Sequence, residues 1–112
     1  MSIILGSKGL LLIPAKKGFH AIYTHGDSSP GHHLPILNSY YKTTEQIAWL
    51  LKYGKGGIRE LDKPSKIIFY SPLPPKMVYS HNDILKLINK AAMDYVYLYS
   101  NKLWFKIYSK EE

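Results

Sequence analysis

Residues 95 to 108 constrain the fold of this chain more than any other stretch. Tyr95 to Tyr99 and Leu103 to Tyr108 both alternate in polarity, and they flank Ser100-Asn101-Lys102. Period-two alternation on both sides of a short polar turn predicts a β-hairpin, and a two-residue loop at Asn101-Lys102 sets its register. That register pairs Tyr99 with Trp104, Leu98 with Phe105, Tyr97 with Lys106, Val96 with Ile107 and Tyr95 with Tyr108. Because neighbouring side chains in a strand point to opposite faces, Val96, Leu98, Phe105 and Ile107 fall on one face and are expected in the core. Tyr95, Tyr97, Tyr99, Trp104 and Lys106 fall on the other, together with Tyr108. Such an aromatic sheet surface is one on which single-stranded nucleic acid stacks, or else one covered by a helix or by a second subunit.

Earlier in the chain, Leu10 to Ile13 and Ile3-Ile4-Leu5 flank Gly6-Ser7-Lys8-Gly9 and read as a second hairpin. Phe19 to Tyr23 is a third strand, and Lys66 to Tyr70 another, stopped by Ser71-Pro72. One helix begins at Thr43 or Thr44, where Thr43-x-x-Gln46 has capping-box spacing, and Gly54 is expected to close it. Another runs from Ser80 to about Ala92, with Ile84, Leu85, Leu87, Ile88 and Ala91 facing inward. A short helix is expected over Leu34 to Tyr41. Together these predict a single α+β domain over residues 1–112: an antiparallel sheet of four to five strands with two main helices packed on one face.

Composition narrows the chemistry. The 112 residues include no Cys, which removes disulfide scaffolds, zinc ribbons, thiol catalysis and iron–sulfur ligation. The longest apolar run, Leu10 to Ile13, is far short of the roughly 20 residues that a membrane span needs. The chain therefore reads as soluble, with no membrane partner and no implied cofactor, and as cytoplasmic. Its formal charge is +7, and of 15 basic residues only Arg59 is arginine. Arginine reads guanine edges and grips phosphate bidentately, so a lysine excess spread along the chain points to non-specific attraction rather than to sequence reading.

Candidate chemistry concentrates in Ile22-Tyr23-Thr24-His25-Gly26-Asp27-Ser28-Ser29-Pro30-Gly31-His32-His33, directly after a predicted strand. His25 and Asp27 are the candidate catalytic pair, and His25, Asp27, His32 and His33 the candidate metal ligands, although their spacing fits no His-Glu-x-x-His helix and no Cys contributes. The plainer reading makes Asp27 a turn residue that accepts backbone amides. Gly26-Asp27-Ser28 is also the string of some serine hydrolases, but no suitably placed histidine and aspartate accompany it. Gly54-Lys55-Gly56-Gly57 follows a helix instead of opening one, so it is a turn and not a phosphate loop.

Ile22, Tyr23, His25, Asp27, Pro30, Leu37, Tyr40 or Tyr41, Leu50, Gly54, Leu61, Tyr97 and Trp104 occur in an order that resembles a set of small phage and viral proteins. Those proteins carry Ile-Tyr-x-His-Trp-Asp-Gly-Tyr-Pro at a strand end, then two helices and a late Tyr-x-Tyr-x-Tyr strand before a Trp. This chain is similar to a divergent member. Gly26 stands where that set has Trp, Ser28-Ser29 where it has Gly-Tyr, and Leu34 where it has Gly, while Gly56-Gly57 look inserted. The resemblance implies a viral or mobile-element accessory protein and transfers no catalytic residue. The expected function is binding, to a host protein or nucleic acid, either alone or as a homodimer. The alternative is a small metal-dependent or histidine-based hydrolase using His25, Asp27, His32 and His33.

Overall fold

The computed structural model describes residues 6–70 and 76–110. In chain order they form β1 (Gly9–Pro14), β2 (Phe19–Thr24), α1 (Pro30–Tyr40), α2 (Thr44–Gly54), β3 (Ile58–Glu60), β4 (Ile68–Phe69), β5 (Lys76–Val78), α3 (His81–Ala91), β6 (Tyr95–Ser100) and β7 (Leu103–Ser109). The class is α+β. The sheet has seven strands in the order β4-β3-β2-β1-β6-β7, with β5 paired to β2 off that path. It is mixed, where an antiparallel sheet of four to five strands was expected: β1 pairs with β6 and β2 with β3 in parallel. Parallel partners need crossover connections, and α1 and α2 supply the one between β2 and β3. The expected hairpin partner Ile3-Ile4-Leu5 lies outside the described residues, and β1 pairs instead with β2 and β6.

Helices on both faces are the main departure from the expected layout. Leu11, Ile13, Ile22, Tyr97 and Trp104 pack with Leu37 of α1 and Ile47 and Leu50 of α2. On the opposite face Leu10, Leu12, Ala21, Val78 and Val96 pack with Ile88 of α3. A strand buried on both sides loses the apolar–polar alternation from which a single covered face is inferred, and Leu10 to Ile13 is such a continuous apolar run.

Local signals behave as their chemistry dictates. Thr43 Oγ1 accepts the Gln46 amide at 3.1 Å and Gln46 Oε1 accepts the Thr43 amide at 2.9 Å, which completes the capping box. Ser80 caps α3 by accepting the Asp83 amide at 3.2 Å. Leu85, expected inside, is exposed, since α3 buries only one side. α1 begins four residues earlier than expected, with Pro30 rather than Pro35 in its first turn. Gly54 ends α2 as a buried helical residue, and Gly57 supplies the positive φ, +105°.

The late hairpin keeps its expected register from the turn to Tyr97–Lys106, and Asn101 and Lys102 take the positive φ values, 52° and 62°, of a primed two-residue turn. Beyond that point Val96 faces Tyr108 and Tyr95 faces Ser109, so Ile107 is the extra residue of a β-bulge. The core assignment of β7 is reversed. Tyr97 is 0% and Trp104 2% exposed, whereas Phe105 is 47% and Ile107 49% exposed. Val96 is buried as expected and Leu98 half-buried.

The rings can be buried because each polar tip meets a backbone carbonyl: the Tyr97 hydroxyl donates to Ser28, the Tyr99 hydroxyl to Lys42 and the Trp104 indole N–H to Tyr41. At the edge of β7, which pairs with no second strand among the described residues, the Trp104 amide donates to Asn38 Oδ1 at 2.8 Å, and Asn38 Nδ2 donates back to the Trp104 carbonyl at 3.3 Å. One carboxamide thus occupies the positions that an incoming strand would take.

Two outcomes follow for denaturant titrations. Trp104→Ala should cost about 3 to 5 kcal/mol, and Phe105→Ala, already half in water, well under half of that. Asn38→Leu, similar in shape, should cost about 1 to 3 kcal/mol by leaving the Trp104 amide unpaired. Equal losses for Trp104→Ala and Phe105→Ala would contradict the burial of the aromatic face.

Candidate functional site: the turn from β2 into α1

Between the end of β2 and the start of α1 the chain reverses within five residues. Gly26 takes φ +74°, and a Cβ there would meet the Arg59 carbonyl at 3.2 Å, so this turn is built for glycine. Asp27 is exposed, and its Oδ1 accepts the Ser29 hydroxyl at 2.6 Å and the Ser29 amide at 3.0 Å. Those two bonds, hydroxyl first, hold its carboxyl below the usual carboxylate range. This is the turn role expected of an aspartate three residues before a helix start.

Beneath the turn runs a chain of buried polar groups. Ser28 Oγ lies 3.1 Å from the Ser7 carbonyl oxygen, Thr24 Oγ1 3.0 Å from Ser28 Oγ, His33 Nε2 2.9 Å from Thr24 Oγ1, and His32 Nδ1 3.0 Å from His33 Nδ1. With His33 neutral, proton bookkeeping leaves one assignment. A carbonyl only accepts, so Ser28 spends its single hydroxyl proton on Ser7. Thr24 must then donate to Ser28, His33 donates through Nε2 to Thr24, and His33 Nδ1 is left as an acceptor for the Nδ1–H of His32. His33 is fully buried, and burial first, with the neighbouring His32 second, pulls its pKa down to about 3. The ring is neutral, which is what the assignment requires. Ser28 is equally buried, and its amide donates to Ser7 Oγ at 2.7 Å, so its hydroxyl is committed to structure and unavailable as a nucleophile.

The four candidate side chains therefore do not converge on one point. His25 is exposed on another side of the turn, where its Nδ1 pairs with the Tyr70 hydroxyl at 3.0 Å. His33 is interior. Only Asp27 and His32 share an opening, a cleft of about 360 Å³ that Glu60 and Asp62 also line. Among the described residues no group of three or more His, Cys, Asp or Glu side chains is placed to hold a metal ion. Thr24, Ser28 and Ser7, which organise the turn, carry no sequence signal beyond being small and polar. Their roles depend on residue 7 meeting residue 28 across the fold.

The aromatic face of the hairpin, the other candidate site, is closed. α1 and its link to α2 cover Tyr97 and Trp104, while Tyr95, Tyr99 and Lys106 are half-buried around them. The two rings at the centre of that face, Tyr97 and Trp104, are thus covered by helix, as in the helix-covered alternative. Among the described residues no helix is long and apolar enough to cross a membrane. Compared with protein-family models, with curated proteins and with solved structures, the chain matches none.

A buried neutral histidine makes stability depend on pH with a definite sign. The folded pKa of His33 lies below the unfolded value of 6.5, so its contribution is full above pH 6.5 and is lost as pH falls from 6.5 toward about 3. The expected slope is about 1.4 kcal/mol per pH unit in that window. His33→Phe should remove this slope from the urea-unfolding profile, whatever it does to the absolute stability. Parallel pH profiles for parent and variant between pH 6.5 and 4 would show that His33 is not held neutral.

Proposed function

We propose that this protein is a small accessory protein that acts by binding another polypeptide, and that the contact surface is the outward face of β7. The observation that supports this most directly is the row Leu103, Phe105 and Ile107, which is 43%, 47% and 49% exposed on a single strand. Isolated exposed apolar residues are ordinary, but three at alternate positions of one strand share a face, and such a cluster suits a contact surface. α3 reaches Val96 and not Phe105, so the row is the uncovered end of a face whose other end is core. Asn38 occupies the backbone edge at Trp104, which favours docking through side chains over strand addition.

Other observations support binding over hydrolysis and polypeptide over nucleic acid. His25, Asp27 and His33 have separate structural partners, and the exposed row is apolar, which suits side chains of a polypeptide better than a phosphate backbone. The resemblance to small phage and viral proteins supports an accessory role with a host polypeptide as partner.

The test is site-specific photo-crosslinking in the expressing cell, with the reactive group at position 105 or, as a control, at Tyr79, which is 65% exposed. Position 105 should give a discrete polypeptide adduct that the control position lacks, and Leu103→Lys should abolish it without lowering the melting temperature. Equal yields from the two positions, or adducts removed by nuclease, would count against a polypeptide-binding face.

A further inference from the structure

The junction of α1 and α2, on the opposite side of the sheet from the exposed row, forms an aromatic cleft of about 240 Å³. Tyr40, Tyr41 and Trp49 line it with Pro64, and Glu45 and Gln46 complete the lining. The rings are held before any ligand arrives. Tyr41 is fully buried, and its hydroxyl donates to the Asp62 carbonyl at 2.6 Å while its own carbonyl accepts the Trp104 indole N–H at 2.8 Å. Trp49 stands close to parallel with Tyr41, at 24° and 6.3 Å between centroids. It is braced by Tyr53 at 5.2 Å and Phe69 at 5.9 Å. Gln46 is fixed by the capping box, its Oε1 accepting two backbone amides.

Charge decides what such a cleft accepts. Its only ionisable group besides the two tyrosines is Glu45, a carboxylate in a chain with a net charge of +7. Aromatic faces present negative potential, so rings and carboxylate both favour a cation. A bare ammonium is compact and strongly hydrated and resists transfer to apolar walls. Methylation spreads the charge and supplies an apolar surface that rings can cover. We propose that this cleft binds a methylated ammonium group, of the kind carried by choline headgroups and by N-methylated lysine side chains. Trp49 and the exposed Tyr40 form the walls, the buried Tyr41 ring backs Trp49 from beneath, and Glu45 supplies the counter-charge.

Trp49 also reports on the site, because Trp104, the other tryptophan, is buried and hydrogen-bonded elsewhere. Choline and tetramethylammonium should change the tryptophan emission saturably, with half-saturation at or below about 10 mM. The neutral isostere 3,3-dimethylbutan-1-ol, identical in shape around the quaternary centre, should bind at least about tenfold more weakly. Trp49→Leu should abolish the heat of choline binding in calorimetry. Because that variant also removes ring contacts, Glu45→Gln provides an exposed, structurally neutral change that should weaken choline several-fold and leave the isostere unaffected. A trimethyl-lysine peptide and phosphatidylcholine vesicles, each displaced by free choline, distinguish the two carriers. Equal binding of choline and the isostere would reduce the cleft to an apolar pocket and overturn the assignment. So would a lack of saturation by about 100 mM, or tighter binding of a tetraproline peptide than of choline.

Discussion

Three ring donors on one face of the β6–β7 hairpin hold the structure together. The hydroxyls of Tyr97 and Tyr99 and the indole N–H of Trp104 each end on a main-chain carbonyl, at Ser28, Lys42 and Tyr41 respectively. Those carbonyls lie just before α1 and just after it, so one strand pair positions both ends of the helix. The interaction works in both directions. A buried ring with a polar tip needs a partner, and so does a backbone carbonyl in the turns that flank a helix. Burial without these bonds would strand three donors and three acceptors in a low-dielectric interior, at a cost that the apolar area alone would have to offset. Burial, and after it the charges of Tyr95 and Asp27, push the Tyr97 hydroxyl pKa upward, and burial, with Asp62 second, does the same for Tyr41, so both remain protonated donors at ordinary pH.

From that anchor the order extends outward. Asn38 is carried to the edge of β7 because α1 is already docked there, and it seals Trp104 from strand addition. Tyr41, whose carbonyl is held by Trp104, points its hydroxyl at Asp62 and so fixes the chain after β3. Its ring becomes the floor of the aromatic cleft. The turn from β2 into α1 belongs to the same system, since Tyr97 bonds the Ser28 carbonyl and its ring lies 5.5 Å from that of His33. Histidine, serine and threonine in that turn look like chemistry in the sequence. In the fold they form a directed hydrogen-bond chain that lets a polar turn be buried, which separates His33 and Ser28 from any substrate.

The surfaces left open follow from what these contacts cover. α1 and α2 close the aromatic face and α3 closes the near half of the other. The outer half keeps Leu103, Phe105 and Ile107 in water. Both proposed binding surfaces are therefore by-products of a sheet wider than the helices packed on it: an apolar strand face on one side, and on the other a cleft where two short helices meet over rings that could not all be buried.

Features that depend on a few neighbouring residues were legible in the sequence. The Thr43–Gln46 capping box, the Ser80 cap, the primed turn at Asn101-Lys102 and the hairpin register as far as Tyr97 are set by hydrogen-bonding capacity and side-chain alternation within one or two turns of chain. The same holds for Asp27 as a turn residue. Parallel pairing of β1 with β6, the bulge at Ile107 and the split of the helices between two faces were decided only in the tertiary structure. Alternation shows which residues share a face and says nothing about what arrives to cover it. Tyr97 and Phe105 were sorted correctly onto opposite faces, yet which of them is buried depends on carbonyls that α1 and its link to α2 bring from residues 28 to 42, far away in the chain.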